Sequence, residues 1–298
     1  MSGEQRKNLV VVRAGKNSLH PQWLEGAAER AWDLIVSAYD PAARFEHSPD
    51  VKVVLQPGGK WDGLHTLFAG SDLTSRYEYI WLPDDDIATT CADIDAIFAA
   101  MRSYNLEIAQ PALTWESYFS HFAFMQCPGF ALRYTNTVEI MVPCLKAGLL
   151  AQVVDDFHGS MSGFGMDSIW CRLSDDPRYK AAILDSVAVH HTRPVGKVLR
   201  GSMAGRGATP EEERRKLEAR YNVRERIFPL IYAAVESDGR RREGCAGLGF
   251  AMAWRYLKDL GKFRDRVKAA EKIWQIVRRQ SLKRPDLGPL KRVDSAGR

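Results

Sequence analysis

The sequence predicts an α/β fold, with a mainly parallel, Rossmann-like sheet flanked by helices and a C-terminal helical region. Three observations lead there. First, β-branched runs such as Asn8 to Ala14 (NLVVVRA) and Val51 to Leu55 (VKVVL) alternate with stretches of helical periodicity. Parallel neighbours need helix-length crossovers, so this alternation is the signature of a sheet covered by helices. Second, 45% of the 298 residues are hydrophobic, enough for a sizeable core and too many for a disordered chain. Third, no window reaches the ~18 uninterrupted apolar residues that cross a bilayer.

Taken in order, Asn8 to Ala14 reads as a buried first strand, with Gly15 opening the loop after it. Pro21 to Ala38 reads as a helix, with apolar positions at Trp23, Leu24, Ala27, Ala31, Leu34 and Ile35. Val51 to Leu55 is the second strand, closed by Pro57-Gly58-Gly59, and Trp61 to Ala69 a helix. Tyr77 to Leu82 is a third strand running directly into Pro83-Asp84-Asp85-Asp86. Ala92 to Tyr104 reads as a helix and Glu107 to Ala109 as a short strand. Phe119 to Thr135 holds a strand and a loop around a Cys-Pro-Gly break. Val138 to Leu150 reads as a helix despite Pro143. Gly159 to Gly165 is a flexible loop leading into a helix that begins near Asp167, and Ala182 to Val189 is a strand ending in His190-His191.

Beyond residue 200 the composition changes. Residues 201–207 read as a small-residue linker, which divides the chain into a catalytic domain at 1–200 and a basic, mostly helical region at 201–298. Thr209 and Pro210 have the character of an N-cap and a first helical position, and Gly249 to Gln280 is largely helical. From Leu199 onward there are 25 Lys and Arg against 13 Asp and Glu; before it there are 17 against 24. A mildly acidic front is thus joined to a basic tail, which suits an anionic partner. Arg240-Arg241-Arg242 beside the apolar Leu248 to Leu260 stretch fits a helix lying on an anionic membrane surface, or equally a helical cap with a solvated basic face. No nucleic-acid-binding motif is present, so nucleic acid is not an expected partner. The N-terminus has no signal-peptide pattern, which predicts a cytoplasmic protein, peripheral at most to the inner membrane face. The five Cys are scattered, without a CxxC pair, and read as reduced thiols.

Asp84-Asp85-Asp86 is the segment most able to carry chemistry. Three adjacent carboxylates repel one another at a strand end, where ligands of α/β sheets bind. Mn²⁺ or Mg²⁺, which take carboxylate and phosphate oxygens, would offset that repulsion; a solvated acidic turn is the other reading. In an extended chain Asp84 and Asp86 share a side, while Asp85 faces elsewhere, toward a ribose or neighbouring backbone. Asp167 follows the flexible Gly163-Phe164-Gly165 loop and is either a proton acceptor near a helix N-terminus or only a helix cap. His190 and His191 point to opposite sides, so one of them, with His191 preferred, can complete a metal site. Lys16, Lys60, Arg76 and Arg193 sit near loop ends, as phosphate contacts or ordinary surface cations. Trp61, Trp81 and Trp115 are stacking candidates or core residues.

In this order, several segments resemble the glycosyltransferase-like family first catalogued as domain of unknown function 707. They are Gly15-Lys16-Asn17-Ser18-Leu19 with Trp23, Tyr39-Asp40, Lys60-Trp61 and Tyr79 to Asp86. Gln110-Pro111-Ala112-Leu113, Val138 to Pro143, Gly163 to Asp167 and Val189-His190-His191 complete the set. The resemblance spans about residues 8–196. It implies a GT-A-like fold, a nucleoside-diphosphate-sugar donor, a glycan or lipid-linked acceptor, and Mn²⁺ or Mg²⁺. Carried over, Asp84 and Asp86 form the DxD pair, Asp167 the base, and His190 or His191 the later metal ligand. Lys16, Lys60 and Asp85 fall on the donor side; Glu139, Gly163, Phe164 and Gly165 fall near the acceptor. The implied activity is inverting sugar transfer in cell-surface polysaccharide synthesis. Two other classes stay open: a nucleotidyltransferase or sugar-phosphate transferase, whose glycine-rich first loop Arg13 to Ser18 matches only in part, and a non-catalytic nucleotide-sugar-binding protein.

Overall fold

The computed structural model describes residues 6–26, 29–48, 50–196, 209–224 and 226–293; the expected 201–207 linker lies outside them. The strands are β1 (Asn8–Ala14), β2 (Trp32–Ala38), β3 (Val51–Leu55), β4 (Tyr79–Trp81), β5 (Ile87–Ala88), β6 (Ile108–Leu113), β7 (Phe130–Thr135), β8 (Cys144–Lys146), β9 (Ala181–His191), β10 (Ile231–Glu236) and β11 (Arg241–Glu243). They form one sheet in the order β11-β10-β7-β9-β6-β8-β4-β1-β2-β3, with β5 added against β9. The β4-β1-β2-β3 half is parallel, as is the β6-β9 pair. β8 runs antiparallel between β4 and β6, and β7, β10 and β11 extend the sheet antiparallel.

The α-helices are α1 (Lys60–Phe68), α2 (Leu73–Arg76), α3 (Cys91–Ser103), α4 (Ala147–Val153), α5 (Met166–Ile169), α6 (Pro210–Arg220), α7 (Cys245–Lys258) and α8 (Arg266–Leu282). Alternation along β1 splits the core into two layers. Val10 and Val12 pack with Trp23, Trp32, Trp81 and Phe98 on one face. Leu9 and Val11 pack with Trp61, Leu64, Phe157 and Trp170 on the other. Thr90 caps α3 with a reciprocal Asp93 bond, and Thr209 caps α6 with Glu212 in the same way.

Three expected elements differ. Pro21 to Ala38 is not one helix: a 3-10 turn covers His20–Leu24, and Trp32–Ala38 is β2. β2 lies between β1 and β3 and is almost wholly buried, so it shows no polar alternation, and a short apolar run has no period of its own. Val138 to Leu150 is helical only from Ala147; before it come an irregular stretch and β8. Pro143 cannot donate a helical N–H, and its carbonyl instead accepts from Leu82. The C-terminal region contains helices as expected, and also β10 and β11, which join the sheet beyond β7.

Two details position the site. β6 and β9 change register between Pro111 and Ala112: Pro111 pairs with Leu184, but Ala112 pairs with Ala188. The extra residues on β9 form a bulge, and Pro111 sits where the ladder is already broken. Asp185, in that bulge, turns into the core to meet Arg133 of β7 in a two-point ion pair at 2.7 and 2.9 Å. Both side chains are fully buried. The rest of the guanidinium donates to the carbonyls of Ala123 and Met125 and to the Tyr256 hydroxyl. All five cysteines are free.

Candidate active site

Beyond β4 the chain stays extended. Leu82 N–H donates to Pro143 O, Asp84 N–H donates to Met141 O, and Arg13 bridges to Asp84 in parallel fashion. The acidic triplet is therefore pinned between the end of β1 and the 139–143 stretch, at the carboxyl ends of β1 and β4. β5 then pairs Ile87 with His191, which brings the end of β9 alongside Asp86.

The three carboxylates have separate surroundings. Asp85 accepts from the Gly15 backbone N–H at 2.9 Å, the Tyr39 hydroxyl at 3.1 Å and Arg193 at 3.0 Å. It ties the loops after β1 and β2 to residue 193. Asp84 receives the Lys60 ammonium at 2.5 Å, and the same ammonium donates to Ile140 O at 2.9 Å. Burial raises the Asp84 pKa; Lys60 opposes this and Asp86 adds repulsion. Asp86 is buried, and its Oδ1 has no hydrogen-bond partner among the described residues.

Of the two histidines, His191 reaches the acids, with Nε2 at 3.2 Å from Asp86 Oδ2. Its Nδ1 lies 2.8 Å from Tyr118 O, where the ring nitrogen donates, and its backbone N–H donates to Ser117. Burial disfavours the imidazolium, but the hydrogen bond and charge of Asp86 outweigh it, so its pKa ends above the ordinary 6.5. Strand alternation turns the half-buried His190 to the other side of β9.

Glu139 and Asp167 complete the cluster. Val138 N–H donates to Asp167 O, which ties the two segments together. Glu139 is 5% exposed; its N–H donates to the Gln110 side chain, and its carboxylate accepts from the Ser120 hydroxyl. Burial pushes its pKa from 4.5 to about 7; Ser120 and His191 pull down, Asp167 and Asp84 push up. Burial likewise pushes Asp167 from 3.8 to about 6, against hydrogen bonds from Ser168 and Gly165 and with added repulsion from Glu218. The mutual influence of Asp84, Glu139, Asp167 and His191 marks them as one electrostatic neighbourhood.

The Gly163-Phe164-Gly165 loop turns Asp167 toward this neighbourhood. Gly163 has φ +69°, and a Cβ there would lie 2.2 Å from the Trp61 ring nitrogen; Gly165 has φ +95° at the start of α5. Phe164 is 40% exposed at the loop tip. Glu213 of α6 accepts from Met161 N–H, Ser162 N–H and the Ser162 hydroxyl. That anchor was not legible from motif spacing, because it comes from a helix 50 residues further on. Lys16 lies exposed in the turn after β1, next to Gly15 whose N–H donates to Asp85. Arg76 is spent on its own helix face, 3.9 Å from Asp72. Trp61 and Trp81 are core residues, and Trp115 packs edge-on against Phe263.

Asp86 and His191 are the residues here that could hold a divalent metal. A neutral imidazole whose Nδ1–H is held by a carbonyl aims its Nε2 lone pair at the carboxylate, and only a proton or a cation resolves that contact. The unpartnered Oδ1 points the same way. Among the described residues no group of three or more His, Cys, Asp or Glu side chains is placed to hold a metal ion. Mg²⁺ and Mn²⁺ bound with nucleotides need only one or two protein carboxylates, the remainder coming from phosphate and water.

No family model and no curated protein matches the chain. Among solved structures it is similar to S. aureus TarS 1-349, with TM-score 0.44 and 12% identity over 62% of this chain and 60% of that one. It is also similar to the same TarS fragment in complex with UDP-GlcNAc, with TM-score 0.42 and 9% identity over 91% and 71%. A third is a putative nucleotide-diphospho-sugar transferase from Desulfovibrio desulfuricans G20, with TM-score 0.36 and 10% identity over 72% and 96%. These likenesses are too distant to carry an argument about activity.

Proposed function

We propose that this chain is a metal-dependent glycosyltransferase that moves a sugar from a nucleoside-diphosphate-sugar donor to a glycan or lipid-linked acceptor, with inversion, in cell-surface polysaccharide synthesis. The observation that carries the reading is the buried, unpartnered Asp86 Oδ1 beside His191, at the strand ends where Asp84, Glu139 and Asp167 also gather. Asp86, His191 and, on release from Lys60, Asp84 would hold Mn²⁺ or Mg²⁺. When bound, the metal neutralises charge developing on the leaving diphosphate. Lys60 lies beside Asp84 and supplies a second cation for phosphate oxygens. Asp167, whose pKa of about 6 leaves it largely ionised at neutral pH, takes the acceptor hydroxyl proton as that oxygen bonds to the anomeric carbon and the bond to the diphosphate breaks. Glu139 keeps its proton to higher pH and positions the acceptor.

Asp86→Asn is expected to abolish metal-stimulated hydrolysis and transfer from nucleotide sugars, measured by nucleotide release with and without Mn²⁺. Undiminished activity would remove Asp86 from the metal site. Asp167→Asn is expected to retain donor binding and lose transfer by ~10²-fold or more; unchanged transfer would show that the base lies elsewhere.

Among the described residues no helix is long and apolar enough to cross a membrane. Peripheral contact of the basic region with an anionic bilayer is supported by α7, where Phe250, Trp254 and Leu257 are 61%, 62% and 51% exposed. Their spacing puts them on one helix face, and Lys258 lies over the Trp254 ring. Co-sedimentation with phosphatidylglycerol vesicles should fall for Trp254→Ala and with rising salt. Equal binding to neutral phosphatidylcholine vesicles would count against this contact.

A further inference from the structure

A cleft of ≈ 660 Å³ opens between the 221–230 segment and the chain from the end of α8 onward. Arg224, Arg226, Arg279, Lys283, Arg284 and Lys291 lie on its walls. Among the described residues none of these six makes an ion pair, and the acid among the described lining residues, Asp286, is held by Arg172 at 2.6 Å. Arg226 and Arg279 both lie over the Phe228 ring, at 5.3 and 4.6 Å. Burial and the charge of Arg226 lower the pKa of Arg279. Both guanidiniums thus approach one ring, Arg226 from an exposed position and Arg279 from a half-buried one. Asn136, at the end of β7, donates to Phe228 O at 3.1 Å and accepts from Leu230 N–H at 2.7 Å, clamping the segment that carries them. Like charges brought over one ring repel, and a bound anion offsets that cost.

The cleft also points somewhere. Arg279 lines a second, smaller pocket together with Ser120 and His121. Ser120 donates to Glu139. Arg279 is thus shared between the cleft and a pocket whose wall at Ser120 borders the acidic cluster.

We propose that this cleft binds the phosphate groups, monoester or diester, of an anionic acceptor, held by the planar forks of Arg226 and Arg279. The acceptor's sugar end then lies along Ser120 toward Glu139 and Asp167. The binding site is inferred directly from the cleft; its assignment to the acceptor rests on the transferase reading above.

The test is calorimetric titration of the full chain with sodium tripolyphosphate, without donor. Wild type is expected to bind with an affinity that falls as salt rises. Arg226→Gln with Arg279→Gln is expected to lose roughly tenfold or more, and the double Lys variant to recover part of it. Equal binding by wild type and the Gln variant, or none by wild type, overturns the proposal. Competition with phosphatidylglycerol vesicles identifies the source of the phosphate. Vesicles displaced by tripolyphosphate and dependent on Arg226 and Arg279 indicate a lipid-linked phosphate. Tripolyphosphate binding that vesicles leave unaffected indicates a soluble one. Absence of nucleotide-sugar hydrolysis alongside Arg-dependent tripolyphosphate binding would retire the transferase reading alone; hydrolysis with Arg-independent binding would retire the cleft alone.

Discussion

Replacing Glu139 with Gln should make the protein less sensitive to pH and more stable in alkali. The carboxyl is 5% exposed, and burial moves its pKa from 4.5 to about 7. The unfolded chain gives up this proton near the ordinary value, while the folded protein holds it to about pH 7. Between those limits the folded state binds more protons, so stability falls as pH rises. The contribution is fully present below about pH 4.5 and lost as pH rises through about 7. The gap corresponds to ~3 kcal/mol, an upper figure because a buried charge relaxes its surroundings. Gln keeps the shape and can still bond Ser120, but does not titrate. Urea denaturation of both proteins across this range reads the difference directly. The curves should meet in acid and diverge by ~2–3 kcal/mol above neutrality, with the Gln variant more stable. Asp167, displaced in the same direction to about 6, adds a slope of the same sign to both proteins. Parallel curves across the whole range would refute the reasoning.

Asp85→Ala should destabilise the protein by ~2–3 kcal/mol, since it removes acceptors for Gly15 and Tyr39 and a half-exposed contact to Arg193; a melting curve unchanged from wild type would contradict its role as a tie. Arg133→Met should cost ~3–5 kcal/mol by stranding the buried Asp185 charge, and adding Asp185→Leu should recover most of it. Chemical denaturation of the single and double variants measures both, and a double variant no better than the single would show that the pair is not the cause.

What was legible in the sequence follows from local physics. Asn8–Ala14, Lys60–Phe68 and Cys91–Ser103 announce themselves by β-branching and periodicity, and the acidic strand end by adjacency of like charges. β2 was hidden because a strand buried on both faces has no polar phase. β10, with its two alanines, was hidden inside a basic, helix-rich stretch, since only pairing with β7 makes it a strand. The division of labour within Asp84-Asp85-Asp86 was half visible: alternation separates Asp85 from its neighbours, but its partners Gly15, Tyr39 and Arg193 come from three distant loops. Glu139 lay in a characteristic stretch, yet its burial, and hence its displaced titration, is a property of the folded chain alone.

The bulge in β9 has a bearing on the two histidines. Alternation makes facing direction a matter of parity: adding or removing one residue between the sheet centre and the strand end exchanges His190 with His191. The count is set in the bulge, where Asp185 leaves the ladder to join Arg133. A core ion pair thus works as a phase lock for the ring that meets Asp86. A one-residue deletion between Asp185 and Val189 would leave both histidines in the chain and present the wrong one.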